Sequence, residues 1–348
     1  MALAGGLAGT VRGRQRVRPG CVRLGEGQPR GGGDDEVHPT RVGRHGASPR
    51  DLTDRTIPAR GLERRDVRRL QWRVSISTGS PDDVYTHGHH ESVLRSHRWR
   101  TAENSAAYLL PALAPGARLL DVGCGPGTIT IDLAARVLPG EAIGLDRSER
   151  VIEAAREAAL EAGALNVTFE VGDLYALPYD DASFDVVHAH QVLQHLSDPV
   201  AGLREMKRVT RPGGLVAVRD SDYSAMTWYP PNAGLDEWLA LYREVTQANR
   251  AESDAGRRLL GWVREAGFDP AGIQPGAGVW CYATPEDRRW WSELWADRAV
   301  ASHFAAQAIE YGLADDVALE HLADAWREWG RAEDGWFAIL HGEVLARV

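Results

Sequence analysis

The residues most able to do chemistry begin at Leu119-Leu120-Asp121-Val122-Gly123-Cys124-Gly125-Pro126-Gly127-Thr128, where an apolar run enters a glycine-rich turn. Glycines there let the backbone approach a ligand closely, and the helix that the turn opens would present unpaired N–H groups. The spacing is G-x-G-x-G with an acid two residues before the first glycine, against the G-x-G-x-x-G of a dinucleotide-binding turn. Pro126 also removes an N–H donor that a pyrophosphate cradle would use. Asp146, followed by Arg147, stands 19 residues after Gly127, and a carboxylate at a second strand end can accept both ribose hydroxyls of an adenosine group. Gly172-Asp173-Leu174 ends a third strand, where an acid can accept from an adenine amino group. Three acids on successive strand ends would repel phosphates and suit a nucleoside bearing a sulfonium and an ammonium. Taken singly, Asp146 reads equally as a neighbour of a helix cap and Asp173 as a turn residue. Asp121 has no such plain reading, since an unpaired acid is expensive when buried.

The elements that must position these residues follow from short apolar runs alternating with amphipathic segments. Strands are expected at Arg118–Val122, Ala142–Leu145, Val167–Val171, Phe184–Ala189 and Leu215–Arg219. Helices are expected between them at Thr128–Leu138, Ser148–Gly163 and Pro199–Thr210. This rhythm predicts a parallel sheet covered by helices on both faces. Pro212-Gly213-Gly214 reads as a helix stop and turn before the fifth strand. A helix over 91–110 precedes the first strand. Further helices at about 234–249, 254–266, 286–311 and 315–330 and a strand at Trp336–Val348 follow the fifth. Ten of the twelve tryptophans lie after residue 221, which predicts an aromatic helix-packing core, with an aromatic substrate cavity as the minority reading.

Residues 117–222 resemble the class I S-adenosylmethionine-dependent methyltransferases. The likeness rests on the glycine turn, Asp146 and Gly172-Asp173. It continues through Phe184-Asp185-Val186-Val187-His188-Ala189-His190-Gln191-Val192-Leu193-Gln194-His195-Leu196, Leu203-Arg204-Glu205-Met206 and Arg211-Pro212-Gly213-Gly214. The branch is similar to ubiquinone/menaquinone methyltransferases. Tyr85-Thr86-His87-Gly88-His89-His90, Trp99-Arg100-Thr101-Ala102-Glu103-Asn104-Ser105, Arg219-Asp220, Thr227-Trp228-Tyr229-Pro230 and the tryptophan-rich tail also resemble fungal thiol methyltransferases acting on dithiols such as reduced gliotoxin. The resemblance implies a Rossmann-like, doubly wound, mostly parallel seven-stranded sheet with helical inserts forming a lid. It implies S-adenosylmethionine as methyl donor and a small-molecule acceptor. Gly123, Gly125 and Gly127 would approach the donor's methionine part and Asp121 would orient its ammonium. Asp146 would take the ribose and Asp173 the adenine, Arg147 and Leu174 would belong to the same cofactor site, and His190 and Gln191 would face the sulfonium. A quinone or phenol methyltransferase and a non-catalytic S-adenosylmethionine-binding protein are the alternatives.

Methyl transfer from a sulfonium asks mainly for alignment and exclusion of water. A thiol acceptor needs modest help with its proton, a phenol more and a carbon acid most. His190, Asp220 and Tyr85 are the expected catalytic residues, with Asp220 at the same sheet edge as the cofactor. His195 reads as a packed or hydrogen-bonded histidine. The cluster His87, His89 and His90 has too few companions for a metal site, and no metal is expected. The acceptor pocket is expected from three covering segments, 84–105, 222–250 and 285–330, through Tyr85, Trp99, Trp228, Tyr229, Trp291 and Trp295.

Composition narrows the rest. The 348 residues carry a net charge of -9, but residues 1–77 hold 16 arginines against 8 acids. That stretch has 13 glycines, 5 prolines and no sustained apolar period, so it is expected to be a disordered extension. The expected methyltransferase domain is 78–348, with its cofactor core at 112–222. Its net charge of about -17 beyond residue 77 argues against docking on a phosphate backbone. No Asn-Pro-Pro-Tyr-like tetrad follows the fourth strand, so a nucleic-acid partner is not expected. No apolar run is long enough for a membrane helix. Three scattered cysteines fit a cytoplasmic setting.

Overall fold

The computed structural model describes Asp83, Tyr85, Thr86 and residues 91–348, with 91–94 as backbone only. The expected extension over 1–77 and the cluster His87, His89 and His90 lie outside the described residues.

Two helices, α1 (Glu91–Trp99) and α2 (Ala102–Ser105), replace the single helix expected over 91–110. The break is chemical. Thr101 Oγ1 accepts from the Asn104 amide at 3.2 Å while Asn104 Oδ1 accepts from the Thr101 amide at 2.9 Å. This reciprocal cap starts a new helix and leaves Arg100 between the two. The core alternation follows as β1 (Leu119–Val122), α3 (Thr128–Val137), β2 (Ala142–Asp146), α4 (Glu149–Ala162), β3 (Val167–Val171), β4 (Phe184–His190), α5 (Pro199–Val209) and β5 (Thr210–Ser221). All four β1 residues are buried, as expected of a strand covered on both faces. Pro212-Gly213-Gly214 lies in an irregularity within β5. Thr210 pairs with Phe184, yet Leu215 pairs with Val186, so the extra residues bulge out of the ladder.

After β5 come β6 (Thr227–Tyr229), α6 (Ala233–Ala248), α7 (Ala255–Glu265), β7 (Ile273–Tyr282), α8 (Pro285–Ala301), α9 (His303–Glu310), α10 (Asp316–Arg331) and β8 (Trp336–Arg347). The helix expected over 286–311 divides at Ser302, whose hydroxyl accepts from the Phe304 amide at 3.2 Å and donates to the Arg298 carbonyl at 2.8 Å. The sheet has eight strands where seven were expected, in the order β3-β2-β1-β4-β5-β8-β6 with β7 also paired to β8. Strands β1 to β5 are parallel, and β8 runs antiparallel to β5, β6 and β7. β5 pairs with residues 341–347 of β8 and β6 with 336–338, so the extra strand is a short continuation along the same edge.

The layers close by different means. Leu203, Met206, Leu259 and Val263 from α5 and α7 pack with the sheet residues Val187, Val216 and Val344. Gly256 of α7 meets Gly342 of β8 backbone to backbone, with no room for a side chain on either. The region built from α6, α8, α9 and α10 encloses an aromatic core that includes Trp238, Trp295, Trp326 and Trp329. Among the described residues, no helix is long and apolar enough to cross a membrane.

Candidate active site

The carboxyl ends of β1, β2, β3 and β4 open into a cavity of about 1640 Å³, counted out to its open mouth. At one end the lining includes Asp121, Gly123, Gly125, Asp146, Arg147, Asp173 and Leu174, all expected from sequence. Gly127 is not among the lining residues. It caps α3 at φ 79°, and a Cβ there would strike Phe169. Gly123 has φ 66° and its Cβ would strike Val192, whereas Gly125, at φ 56°, would meet nothing within 4 Å except His97 Nδ1 at 3.7 Å. Gly125 therefore leaves space that no protein atom fills.

The acids are anchored as well as aligned. Asp146 Oδ2 accepts from the Gly125 amide at 3.1 Å, tying the second strand end to the glycine turn, and Oδ1 accepts from the Ser148 amide at 3.0 Å. Asp173 Oδ1 accepts from the Tyr175 amide at 2.9 Å. Asp121 is 3% exposed and is not unpaired: its oxygens meet Thr130 Oγ1 at 2.5 Å and His188 Nδ1 at 2.7 Å. His188, fully buried, was not singled out from sequence. Its register opposite Asp121 on β4 is what brings the two together. Arg147 is exposed and donates to the Asp83 carbonyl at 3.2 Å. The carboxylates of Asp121, Asp146 and Asp173, the gap at Gly125 and apolar Leu145, Val151 and Leu174 on one cavity fit S-adenosylmethionine.

Past β4 the lining continues through His190 and Gln191. Among the described residues, neither ring nitrogen of His190 has a hydrogen-bond partner. Burial, then the charges of Arg100 and Arg219, holds its pKa well below the ordinary value, so the imidazole is neutral at pH 7. Gln191 sits at φ 54°; its Oε1 accepts from Arg100 at 2.5 Å and its Nε2 lies 3.0 Å from His341 Nε2. Asp220 is not among the lining residues although Ser221 is, because neighbouring strand residues point to opposite faces. Fully buried, Asp220 accepts from the Gln194 amide at 3.2 Å, and burial pushes its pKa up to about 8. It braces the turn Leu193–His195. His195 itself lines the cavity, with Gln194 Nε2 3.0 Å from its Nε2 and Tyr85 edge-on at 4.7 Å.

The other end is aromatic. Tyr85, Trp99, Trp291 and Trp295 line it as expected. Trp228 and Tyr229 do not: Trp228 stacks on Phe337 at 5.7 Å, and Tyr229 is 52% exposed. Trp280, Tyr282, Trp290, Arg100 and Arg298 also line the cavity and were missed as site residues. Trp291, Trp295 and Arg298 share one face of α8 through their i, i+4, i+7 spacing, a signal present in the sequence. Trp280 and Tyr282 lie two apart on β7, hence on one face, but that strand itself was not expected.

A family model described as a methyltransferase domain matches residues 113–267. An uncharacterised methyltransferase of Schizosaccharomyces pombe is 35% identical over 268 residues, covering 75% of this chain and 95% of its own length. The probable methyltransferase ltbC of Aspergillus luteorubrus is 33% identical over 287 residues, covering 78% of this chain and 99% of its own. The 27-O-demethylrifamycin SV methyltransferase of Amycolatopsis mediterranei is 38% identical over 165 residues, 47% of this chain and 58% of its own. Matches of that identity along nearly whole relatives show that the chain belongs to the class I S-adenosylmethionine-dependent methyltransferases, with S-adenosylmethionine as its methyl donor.

Proposed function

We propose that this enzyme S-methylates a flat, mostly apolar small-molecule thiol or dithiol, as detoxification or self-protection in a reducing cytoplasm. The observation that carries the reading is the aromatic wall of Trp99, Trp280, Tyr282, Trp290, Trp291 and Trp295 on the same cavity as the glycine turn. Such a wall suits a planar acceptor with few polar groups. The covering segments 84–105, 222–250 and 285–330 then set the acceptor, and the core over 112–222 holds the donor.

Bound S-adenosylmethionine supplies an electrophilic methyl: the acceptor sulfur forms a new C–S bond while the donor's C–S bond breaks, leaving its electron pair on the donor sulfur. The acceptor's proton passes to His190, whose neutral ring has no competing hydrogen bond among the described residues. So weak a base serves a thiol of pKa near 8.5 and falls short for a carbon acid. Tyr85, its phenol pushed up to about 12 by burial, keeps its proton and orients the acceptor as a donor. Asp220 acts by bracing the turn that carries His195.

A hydroxyl acceptor is the second reading, favoured by the relative named for 27-O-demethylrifamycin SV. Purified full-length protein with S-adenosylmethionine and a panel of reduced dithiols, aromatic thiols, phenols and quinols separates them through S-adenosylhomocysteine release and product mass spectra. S-Methylated products are expected. Methylation confined to oxygen or carbon overturns the thiol assignment.

A further inference from the structure

At the aromatic end of the cavity one cation, Arg100, has no carboxylate partner among the described residues. Arg100, half-buried between α1 and α2, lines it. Among the described residues its side chain makes one hydrogen bond, to a neutral group, Gln191 Oε1 at 2.5 Å, and its Nε has no partner. No carboxylate pairs with it among the described residues. Instead its guanidinium lies 5.7 Å from the centre of the Trp280 ring. Arg298, 4% exposed, also lines the cavity and donates to Ser96 Oγ at 2.5 Å. The lining acids, Asp83, Asp121, Asp146 and Asp173, are engaged elsewhere. Asp83 accepts from the Ser197 amide at 2.8 Å, and the others stand at the ends of β1, β2 and β3.

Arg219 shows the contrast. It is 2% exposed, also faces Trp280, at 4.8 Å, and is neutralised by Glu343 at 3.0 Å. Burial pushes the Arg100 pKa down to about 10, and its charged neighbours Arg298 and Arg219 push the same way, yet it remains a cation at pH 7. A desolvated cation without a counter-ion is costly, and the donor's sulfonium adds positive charge to the same cavity. Two further polar atoms are buried at this end without partners among the described residues, the Tyr282 hydroxyl and Trp291 Nε1. A planar ligand with an anionic group answers all of these at once.

We propose that the acceptor is an aromatic anion whose charged group docks on Arg100 and whose ring lies against Trp280, Tyr282 and Trp291. The inference rests on the reading of this cavity as the acceptor site and adds the charge of what it takes. Two sources supply the same chemistry: a carboxylate on the acceptor scaffold, or the acceptor thiol itself as thiolate. In the second case the guanidinium holds the nucleophile ionised, which lightens the work left to His190.

The test uses full-length enzyme saturated with S-adenosylhomocysteine and two dyes with one skeleton. These are 8-anilino-1-naphthalenesulfonate, an anion, and N-phenyl-1-naphthylamine, its uncharged counterpart. The anion is expected to bind about tenfold tighter or better. Arg100→Gln is expected to abolish that preference with S-adenosylhomocysteine affinity unchanged, and Arg100→Lys to retain most of it. Equal affinities for the two dyes overturn the anion proposal and leave the aromatic acceptor cavity standing. Binding of neither dye overturns both. A preference that survives Arg100→Gln places the charge recognition elsewhere and overturns the assignment to Arg100. Displacement of the bound anionic dye separates the sources. 4-(Methylthio)benzoate offers only the carboxylate and methyl 4-mercaptobenzoate only the thiolate, and displacement by neither counts against the proposal.

Discussion

At Gly125 the two reasons for a glycine come apart. Its φ of 56° disfavours any L side chain, at about 1–2 kcal/mol. The room beside it, however, is empty of protein except for His97 Nδ1 at 3.7 Å. Gly125→Ala is therefore expected to lower the melting temperature by only a few degrees and to weaken S-adenosylhomocysteine binding, read by calorimetry, by about tenfold or more. Unchanged affinity in a folded variant would show that the gap belongs to something else. Asp146→Ala removes the carboxylate expected to take the ribose and the anchor of the Gly125 amide. It is expected to cost about 1.5–3 kcal/mol of cofactor binding per lost charge-assisted hydrogen bond. His341 offers a pH test of the floor beneath the site. Fully buried, it is held well below the ordinary histidine pKa, first by burial and then by the charges of Arg219 and Arg100. Below pH 6.5 the unfolded chain takes up a proton there that the folded chain refuses, so stability falls as pH falls. The slope from this one group is about 1.4 kcal/mol per pH unit. Urea unfolding of wild type and His341→Phe between pH 7 and pH 5 should show the variant's stability falling less steeply by that amount; parallel curves would mean that His341 ionises in place.

Among the elements, the reciprocal cap between α1 and α2 does the most for its size. It fixes where α2 begins and thereby where Arg100 stands. Thr101→Val should cost about 1 kcal/mol of stability and raise the acceptor KM while S-adenosylhomocysteine affinity holds. A variant that weakens donor and acceptor alike would mean that the cap supports the whole site instead. The strands that carry the cofactor acids were legible in sequence because each is an apolar run bounded by turn residues, and β1 to β5 came out where those runs lie. β7 was not, because Gln274-Pro275-Gly276-Ala277-Gly278 has neither alternation nor strand-forming side chains. It is a strand because β8 pairs with it along its length from Ile273 to Tyr282. That Asp121, Asp146 and Asp173 line one cavity was readable for the same reason as the strands, whereas Asp220, expected to be catalytic, is turned away from it by one residue of strand alternation. The acceptor end was not readable. Arg100 and Arg298 carry no contrast in a chain where 39 of 40 basic residues are arginine, and Trp280 and Tyr282 depend on a strand that the sequence hides.

Over the whole molecule, one population of aromatic residues is divided between two tasks. Trp238 is fully buried, edge-on to Trp295 at 4.5 Å and to Trp326 at 4.8 Å. Trp290 is partly buried and lines the cavity. Trp238→Ala should cost about 3–5 kcal/mol of stability. Trp290→Ala should leave the denaturation midpoint nearly unchanged and lower acceptor turnover, as paired unfolding and activity measurements would reveal. Equal loss of stability in both would mean that the aromatic residues form a single core with no task to spare. The sheet also sets an order of events. β5 and β7 do not pair with each other; each pairs with β8, which lies between them in the sheet and follows both in the chain. On the ribosome, the parallel half of the sheet can assemble while β5 waits with one edge open, and β7 has no strand partner until β8 emerges. Such late, long-range closure slows folding and exposes an unpaired strand edge meanwhile. The yield of soluble enzyme should therefore depend on the speed of translation through β7 to β8, and on chaperones that shield an open sheet edge, more than on any substitution in the cofactor half.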